Sequence, residues 1–329
     1  MALMNRINAA ILGIVLCFGL NGCSAKPKEL TRVSIAFQKW VGYGLFYLGQ
    51  EKGFFAQEGI ELFFVDEQLD ASRREAFESG ILDCEAGTID LLVSKRSLGA
   101  PVVAVLELDR SFGGDAVVVA EDIKRLEDLR GKRVAFSRDD VNETFLSYLF
   151  YQQNLTLNDI TIVSRRPEEV ADAFLRQEAD AAVTWEPWVS KALTLPGAHI
   201  LVSSAQAPEV IVDTFNIRED LLQSNPDLVK GLIRGWFKAL EYYQQDPATS
   251  SQIIAKYYNL KPEEYRRDVT LLKWSSYAQQ VESARAGDWE RIFNLIAKLK
   301  FDLGRITRIP SAADAIDTGL IQQIHEDNQ

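Results

Sequence analysis

Residues 33–65, VSIAFQKWVGYGLFYLGQEKGFFAQEGIELFFV, alternate between strand and helix patterns and decide the fold class. The apolar segment 33–38 predicts a strand, the aromatic-rich segment near 43–56 predicts a helix, and 61–65 predicts a second strand. Strands that alternate with helices of about ten residues are typical of βαβ units on a mostly parallel sheet. The alternation continues to a strongly apolar strand at 101–108. We therefore predict an α/β protein.

The strand and helix pattern starts again at residue 115 and gives a second α/β unit, after which the chain is mainly helical. We predict two lobes that are joined by a hinge. Lobe 1 comprises residues 32–113 and 213–305, lobe 2 comprises residues 114–212, and a C-terminal tail follows at 306–329. Because clefts at lobe junctions are preferred ligand sites, we expect a small molecule to bind between the lobes.

The composition is that of a globular protein with an excess of acidic residues. Hydrophobic residues make up 47% and charged residues 25% of the 329 residues. The formal net charge of −11 disfavours nucleic acids and anionic lipids as partners, because phosphates are bound by clusters of Lys and Arg. The same excess of negative charge mildly favours cationic ligands.

The N-terminal segment predicts a secretory leader with a lipidation site. Its apolar run is shorter than the ~20 residues that span a bilayer, and it ends in LNGC at 20–23. Since Leu-x-Gly-Cys resembles a bacterial lipobox, we predict a signal peptide at 1–22 and a lipid on the sulfur of Cys23. Residues 23–31 would then be a tether that anchors the protein to a membrane in the periplasm or at the cell surface. The alternative is a plain signal peptide with a chance cysteine.

Cysteine usage excludes an internal disulfide and a cysteine metal cluster in the mature chain. Cys17 lies in the leader and Cys23 would be acylated, so Cys84 is the remaining thiol. We predict that Cys84 packs in a buried strand.

Four motifs, in the same order along the chain, resemble one protein family. They are FYLGQEKGFFAQEGIEL at 46–62, EAGTIDLL at 85–92, DLRGKRVAFS at 128–137 and Trp-Glu-Pro at 185–187. Together they resemble periplasmic solute-binding proteins of ABC importers, in the group that serves nitrate, sulfonates, taurine, thiamine precursors and guanidine-like solutes. The resemblance implies a type II periplasmic-binding-protein fold that closes over one small solute. It also implies docking onto a membrane permease with a cytoplasmic ATPase, and we expect the protein itself to be a monomer.

Further motifs bear on the solute. WVGYG at 40–44, LELDRSFGGDAVVV at 106–119 and TWEPW at 184–188 look closest to members that serve urea- or guanidine-related transport. SRDDVNETF at 137–145 departs from the Ser/Thr/His-rich turn of the anion-binding members. We therefore predict a small nitrogen-containing cation or zwitterion as the solute. A sulfonate, taurine or nitrate is the alternative.

The ends of the predicted strands select the candidate ligand contacts, because ligands of open α/β sheets lie beyond the carboxyl ends of the strands. The turns after these strands bring aromatic, acidic, hydroxyl and basic side chains to one edge. The candidates are Trp40, Tyr43, Thr88, Asp109, Trp185 and Glu186, together with Lys39, Asp115 and Arg138.

Glu186 stands between Trp185 and Pro187 at the end of a strand. Proline disfavours the helical region for the residue before it, so we expect an extended Glu186 whose carboxylate points near the cleft. A carboxylate beside an aromatic face suits an ammonium, amidinium or guanidinium group. The alternative is that Glu186 caps the following turn while Trp185 fills the lobe. Trp188 is assigned to packing.

The other candidates also have a functional and a structural interpretation. Trp40 and Tyr43 would be stacking surfaces at the cleft wall or anchors of the first helix. Asp109 and Asp115 flank the Gly-rich crossing between the lobes, where they would bind a cation or form hinge hydrogen bonds. Thr88 would offer its hydroxyl and a helix N-terminal amide to the ligand, or simply cap the helix.

Lys39 and Arg138 are the basic candidates for an acidic end of the solute. Asp140 and Glu143, by contrast, have the spacing of a capping box and are expected to start a helix.

The sequence lacks the motifs of common enzymes. HExxH, GxSxG, the P-loop and cysteine clusters do not occur, so hydrolytic, zinc and nucleotide chemistry lack their parts. His199 falls at a strand start and His325 in the tail. Pyrimidine-forming enzymes of thiamine synthesis share the scaffold, but their Cys- and His-rich active site is missing here. We predict a binding protein without cofactor or metal, with an enzyme like those of thiamine-pyrimidine synthesis or a ligand-sensing domain as the alternative.

Overall fold

The structure is a computed structural model that describes residues 29–65 and 73–327 of the chain. The predicted signal peptide, Cys23 and most of the tether lie outside these residues. None of the helices in the described ranges combines the length and the apolar character that a membrane crossing requires.

The strands of the described residues form two sheets. In chain order they are β1 (Thr31–Ala36), β2 (Ile60–Phe64), β3 (Cys84–Thr88), β4 (Val102–Ser111), β5 (Asp115–Val119), β6 (Arg133–Phe136), β7 (Thr161–Ser164), β8 (Ala181–Trp185), β9 (His199–Ser203), β10 (Val212–Arg218) and β11 (Leu272–Trp274). The first sheet has the order β11-β4-β10-β3-β1-β2, and the second has the order β7-β6-β8-β5-β9.

Helices cover both sheets and form most of the C-terminal region. They are α1 (Gly44–Glu51), α2 (Phe54–Gln57), α3 (Arg73–Glu78), α4 (Ile89–Ser97), α5 (Val141–Gln152), α6 (Pro167–Leu175), α7 (Trp188–Ala192), α8 (Glu219–Ser224), α9 (Pro226–Gln245), α10 (Pro247–Tyr258), α11 (Pro262–Asp268), α12 (Tyr277–Ala286), α13 (Asp288–Asp302), α14 (Ala312–Ala315) and α15 (Gly319–Asp327).

Each sheet combines parallel βαβ units with antiparallel strands. Strands β1, β2 and β3 are parallel, and β10 runs antiparallel between β3 and β4. Likewise β6, β7 and β8 are parallel, and β5 runs antiparallel between β8 and β9. Cys84 is buried in β3, as the sequence predicts. This architecture confirms the predicted α/β fold.

The chain crosses from the first sheet to the second at 112–114 and returns at 204–211. The two crossings contact each other, because the hydroxyls of Ser111 and Ser204 are 2.8 Å apart. The Ser204 hydroxyl also accepts a hydrogen bond of 2.7 Å from the main-chain N–H of Gly113. Gly113 has a φ of 109°, which side chains disfavour and glycine tolerates. The crossings therefore lie side by side, as a hinge requires.

The long helix α9 is amphipathic, as its sequence indicates. Asn225 caps it by accepting a 3.2 Å bond from the N–H of Leu228, and Pro226 fills the first helical position. Phe237 on its apolar side is half-buried, and the other residues of that side are buried: Val229, Leu232, Ile233, Trp236 and Leu240.

Two regions differ from the sequence-based description. The helix predicted near 43–56 is divided into α1 and α2, because Gly53 has a φ of 73° and interrupts it. Residues 306–329, predicted as a tail, contain α14 and α15. Ile321 and Ile324 of α15 are buried, so this end of the chain packs onto the core.

Candidate functional site

A cavity of about 30 Å³ lies where the edges of the two sheets meet. This volume is far below the ~300–1,000 Å³ of typical ligand pockets, so the two sheets lie close together in this structure. Side chains from both sheets and from the returning crossing form the wall. They are Gln38, Trp40, Tyr43, Thr88, Asp115, Val141, Trp185, Ile211 and Asp213.

The structure brings five of the predicted contacts together around this cavity: Trp40, Tyr43, Thr88, Asp115 and Trp185. Asp109 lies directly behind the wall, where it accepts a hydrogen bond from Trp40. The structure therefore brings these candidates together at one place, and their contact with a ligand stays a prediction.

Three polar side chains form a row across the first sheet. Asp213 on β10 lies opposite Thr88 on β3 and opposite Asp109 on β4. Residues that face each other on antiparallel strands project to the same side, with Cβ atoms ~4.5–5.5 Å apart. Two buried carboxyl groups thus stand next to each other, and they share a hydrogen bond.

Asp109 is fully buried behind the indole of Trp40, whose Nε1 donates to Oδ1 at 3.0 Å. No N–H group and no hydroxyl group of the described residues donates to its other oxygen, Oδ2, so the carboxyl group of Asp213 is the neighbour that can share a proton with Asp109. Burial is the main cause that raises the pKa of Asp109 to about 7, and the charge of Glu107 acts in the same direction. The main chain approaches closely at Gly42, where a Cβ would lie 2.2 Å from Oδ2.

Asp213 accepts a hydrogen bond from the hydroxyl of Tyr43. Burial and the charge of Asp109 raise the pKa of Asp213 well above its ordinary value. Burial and the charge of Asp213 also raise the pKa of the Tyr43 hydroxyl, so this group keeps its proton and donates it.

Asp115 brings a third carboxyl group from the second sheet. It begins β5 and lies opposite Trp185 at the end of β8. Burial raises the pKa of Asp115 to about 8, and the charge of Asp213 acts in the same direction. Nε1 of Trp185 donates to the main-chain oxygen of Lys39 at 3.2 Å, which ties the second sheet to the first.

Thr88 precedes α4, but its hydroxyl does not cap the helix. Instead it donates to Oδ1 of Asp90 at 2.5 Å. The second oxygen of Asp90 accepts bonds of 3.0 Å from Lys300 and from Thr144. Asp90 is thus a buried carboxylate with a cationic partner.

Glu186 does not line the cavity, contrary to the sequence-based expectation. Its two oxygens accept hydrogen bonds from the main-chain N–H of Ser190 at 2.9 Å and from the Ser190 hydroxyl at 2.8 Å. The carboxylate therefore closes the first turn of α7, which was the structural alternative. Trp188 packs edge-on against Trp185, with 5.3 Å between ring centroids.

The two basic candidates also lie outside the cavity wall. Lys39 is exposed and contributes its main-chain oxygen to the bond from Trp185. Arg138 is exposed, and its Nε lies 3.6 Å from an oxygen of Glu143. Both face solvent, because the turns that carry them continue past the strand ends.

Asp140 caps α5, as expected, by accepting from the N–H of Val141 at 2.7 Å. Glu143 differs from a capping box: it accepts from the N–H of Asp139 at 3.0 Å and binds Arg305 at 2.6 Å.

Sequence reasoning missed Asp213, and also Gln38, Val141 and Ile211. The stretch EVIVDTFNI at 209–217 contained a signal for Asp213, since a carboxylate inside a buried apolar strand needs an explanation. The candidates were selected at the carboxyl ends of strands. Asp213 was not selected, because it lies at the start of an antiparallel strand.

The wall combines two buried carboxyl groups, Asp115 and Asp213, with aromatic surface, and Asp109 lies directly behind it. Lys, Arg and His do not occur among its described residues. The part of the chain that the structure describes also has no group of three or more His, Cys, Asp or Glu side chains arranged for a metal ion. The arrangement is chemically suited to an organic group that donates hydrogen bonds or carries positive charge.

Comparisons with known proteins identify the family. The chain matches the family model described as NMT1/THI5 like over residues 41–250, more than half of its length. A protein of Bacillus subtilis (strain 168), provisionally named as an aliphatic sulfonates-binding protein, is 24% identical over 242 residues, which are 72% of each chain. A 4-amino-5-hydroxymethyl-2-methylpyrimidine phosphate synthase of Aspergillus parasiticus is 22% identical over 268 residues, 75% of this chain and 76% of that protein.

Among solved structures, the alkanesulfonate-binding protein SsuA from Xanthomonas axonopodis pv. citri, bound to MOPS, superposes with a TM-score of 0.72. It shares 19% sequence identity, and the match covers 88% of this chain and 99% of that chain. The Bacillus and Xanthomonas proteins are binding proteins by name, whereas the Aspergillus protein is a synthase. The chain therefore belongs to the NMT1/THI5-like family and has the periplasmic-binding-protein fold that the sequence motifs indicated.

Proposed function

We propose that the protein is the solute-binding component of an ABC importer and that it captures a small organic solute with a cationic nitrogen. One observation carries the choice of solute. Asp115 from the second sheet and Asp213 from the first are both buried in the wall of one cavity, and no described lining residue is basic.

Electrostatics favour a cation at this place. A buried carboxylate is costly unless a cation or several hydrogen-bond donors accompany it. Burial already raises the pKa of Asp115 to about 8, even though Ser111 makes a hydrogen bond to the carboxyl group and lowers the pKa. A cationic ligand between Asp115 and Asp213 would supply the positive charge that the wall lacks, whereas a sulfonate or nitrate would add a negative one.

A sulfonate is the competing candidate, because a relative carries that name. Taurine combines the two chemistries, since it has an ammonium group as well as a sulfonate. An ammonium end would meet the carboxyl groups, so a zwitterion agrees with the wall better than a simple alkanesulfonate does.

Capture would depend on movement of two lobes, residues 32–113 with 213–305 and residues 114–212. Open lobes expose the cavity, and a solute that contacts both lobes stabilises the closed form by its differential affinity. The closed form would then dock onto the permease. Small-angle scattering should show compaction when a binding solute is added to ligand-free protein, and an unchanged radius of gyration at saturation would contradict the mechanism.

The protein would act outside the cytoplasm, held to a membrane by a lipid on Cys23. Cys23→Ser should release the protein from the membrane fraction of expressing cells. An equal membrane fraction for Cys23→Ser and wild type would exclude the anchor.

A thermal-shift screen tests the proposed solute class. The compounds are acetamidinium, guanidinium, taurine, ethanesulfonate and nitrate, at equal ionic strength and with inert counter-ions. We expect the cations or taurine to raise the melting temperature, because ligands that bind the native state stabilise it. Stabilisation by ethanesulfonate or nitrate alone would overturn the proposal. Recovery of the stabilising compound in unchanged form would support binding over turnover.

A further inference from the structure

We propose that the cavity selects its ligand by N–H groups: the bound solute donates hydrogen bonds to both lobes, to Asp115 on one side and to Asp213 and Thr88 on the other. This inference rests on the proposed function and narrows it. Cations without N–H groups, such as quaternary ammonium compounds, are rejected despite their charge.

The two indoles of the wall have no donor left for a ligand. Nε1 of Trp40 donates to Asp109 at 3.0 Å, and Nε1 of Trp185 donates to the main-chain oxygen of Lys39 at 3.2 Å. An indole has one N–H and no acceptor. Trp40 and Trp185 therefore offer the ligand only aromatic surface.

The two hydroxyls of the wall are engaged as donors as well. Tyr43 donates to Asp213, and Thr88 donates to Asp90 at 2.5 Å. A hydroxyl has one proton and two lone pairs. Since both protons are engaged within the protein, the lone pairs of Tyr43 and Thr88 are what a ligand can use.

The orientation of the Thr88 hydroxyl is fixed by its partner. Asp90 is fully buried, and its Oδ2 accepts from Lys300 and from Thr144, each at 3.0 Å. A carboxylate next to a Lys ammonium is an acceptor, so Thr88 must be the donor in the bond to Asp90. The second role of Asp90 is thus to turn Thr88 into an acceptor for the cavity.

The cavity consequently presents acceptors from opposite sides. Asp115 projects from the second sheet, and Asp213 and Thr88 project from the first. Gln38 has both a donor and an acceptor group and does not decide between ligands. A solute with N–H groups in two directions, such as an amidinium, a guanidinium or a short diammonium, satisfies both sides. A quaternary ammonium ion would leave the lone pairs that face the cavity without hydrogen bonds in a buried place.

A pair of cations of similar size tests the inference on the full-length folded protein. Titration calorimetry with acetamidinium and with tetramethylammonium should give an affinity at least about tenfold higher for acetamidinium. Equal or stronger binding of tetramethylammonium would overturn the inference and leave a cation site in place. Binding of ethanesulfonate together with no binding of either cation would overturn the proposed function itself.

Variants of Thr88 test its acceptor role. Thr88→Ser keeps the hydroxyl and should keep acetamidinium affinity within about twofold, whereas Thr88→Val keeps the shape and should lose about tenfold. Tetramethylammonium binding should be the same in both variants, because that ion makes no hydrogen bond. Circular dichroism and the melting temperature show whether each variant is folded. Wild-type acetamidinium affinity in folded Thr88→Val would contradict the role of Thr88.

Discussion

Two groups of buried carboxyl groups lie near the junction of the two sheets, and they differ in their partners. The paired acids have cationic partners: Asp90 binds Lys300 at 3.0 Å, and Glu143 binds Arg305 at 2.6 Å. In the second group, which we call the cavity acids, no described Lys, Arg or His forms an ion pair with a member. The cavity acids are Asp109, Asp115 and Asp213.

The presence or absence of a cationic partner distinguishes carboxyl groups buried for structure from carboxyl groups buried for function. The paired acids contribute to contacts between the two sheets, since Asp90 on α4 accepts from Thr144 on α5 and Glu143 on α5 binds Arg305, which follows α13. Their charges are neutralised within the chain. The cavity acids keep raised pKa values because burial is not offset by a cation. The cavity acids therefore lack a neutralising cation, which a group from outside the chain would have to supply.

The largest expected effect comes from turning a paired acid into an unpaired one. Lys300→Met leaves the carboxylate of Asp90 buried without its cation, which should lower the free energy of unfolding by about 3–5 kcal/mol. Urea unfolding measures this loss of stability. The control Lys298→Met removes a solvent-exposed partner of Asp302 and should change stability by less than ~0.5 kcal/mol. If Lys300→Met lowers the free energy of unfolding by less than about 1 kcal/mol, the distinction between the paired acids and the cavity acids is contradicted.

A smaller effect is expected where the main chain approaches a cavity acid. The Cβ of Gly42→Ala would lie 2.2 Å from Oδ2 of Asp109 and 2.6 Å from Nε1 of Trp40, so the pair must shift. We expect a loss of about 1–3 kcal/mol in urea unfolding. In the control Gly87→Ala no heavy atom lies within 4 Å of the added Cβ, and stability should change less. Equal effects would show that the contact at Gly42 is not tight.

The cavity acids should matter for binding more than for folding. Asp115→Asn removes the charge but keeps the shape, so acetamidinium affinity should fall at least about tenfold, or ~1.4 kcal/mol, without loss of stability. Glu186→Gln is the matched control, because the Glu186 carboxylate bonds Ser190 instead of facing the cavity. The acetamidinium affinity of Glu186→Gln should stay within about twofold of the wild-type affinity. The opposite order of effects in calorimetry would restore Glu186 as the ligand contact.

The fold was largely predictable because strand and helix patterns alternate clearly from residue 33 onward. The C-terminal helix α15 was not predicted, because its few apolar residues, such as Ile321 and Ile324, stand in a short and mostly polar segment. Such a segment resembles a polar tail when the residues that pack against it are not known. Trp40 and Trp185 were found because they follow parallel strands, whose carboxyl ends mark the ligand edge. Asp213 was missed because β10 is antiparallel, so the residue at that edge starts the strand.

Glu186 shows a different limit. The sequence correctly places it at the end of a strand and beside two tryptophans. Its direction depends on Ser190, four residues later, whose N–H and hydroxyl both reach the carboxylate. Local capping of this kind competes with any ligand and can be recognised in a sequence only when the helix start is known.

The pH dependence of affinity tests the central claim most directly. Burial raises the pKa of Asp115, which lines the cavity, to about 8 and that of Asp109, which lies behind the wall, to about 7. Both groups therefore hold protons in the ligand-free protein at about pH 6, and a cation bound at Asp115 favours the release of these protons. Calorimetry with acetamidinium, which stays charged throughout, should show affinity rising from about pH 6 to about pH 9, by up to ~tenfold per pH unit for each proton released. An affinity that is flat or falls over this range would contradict the cavity acids as the cation-binding groups.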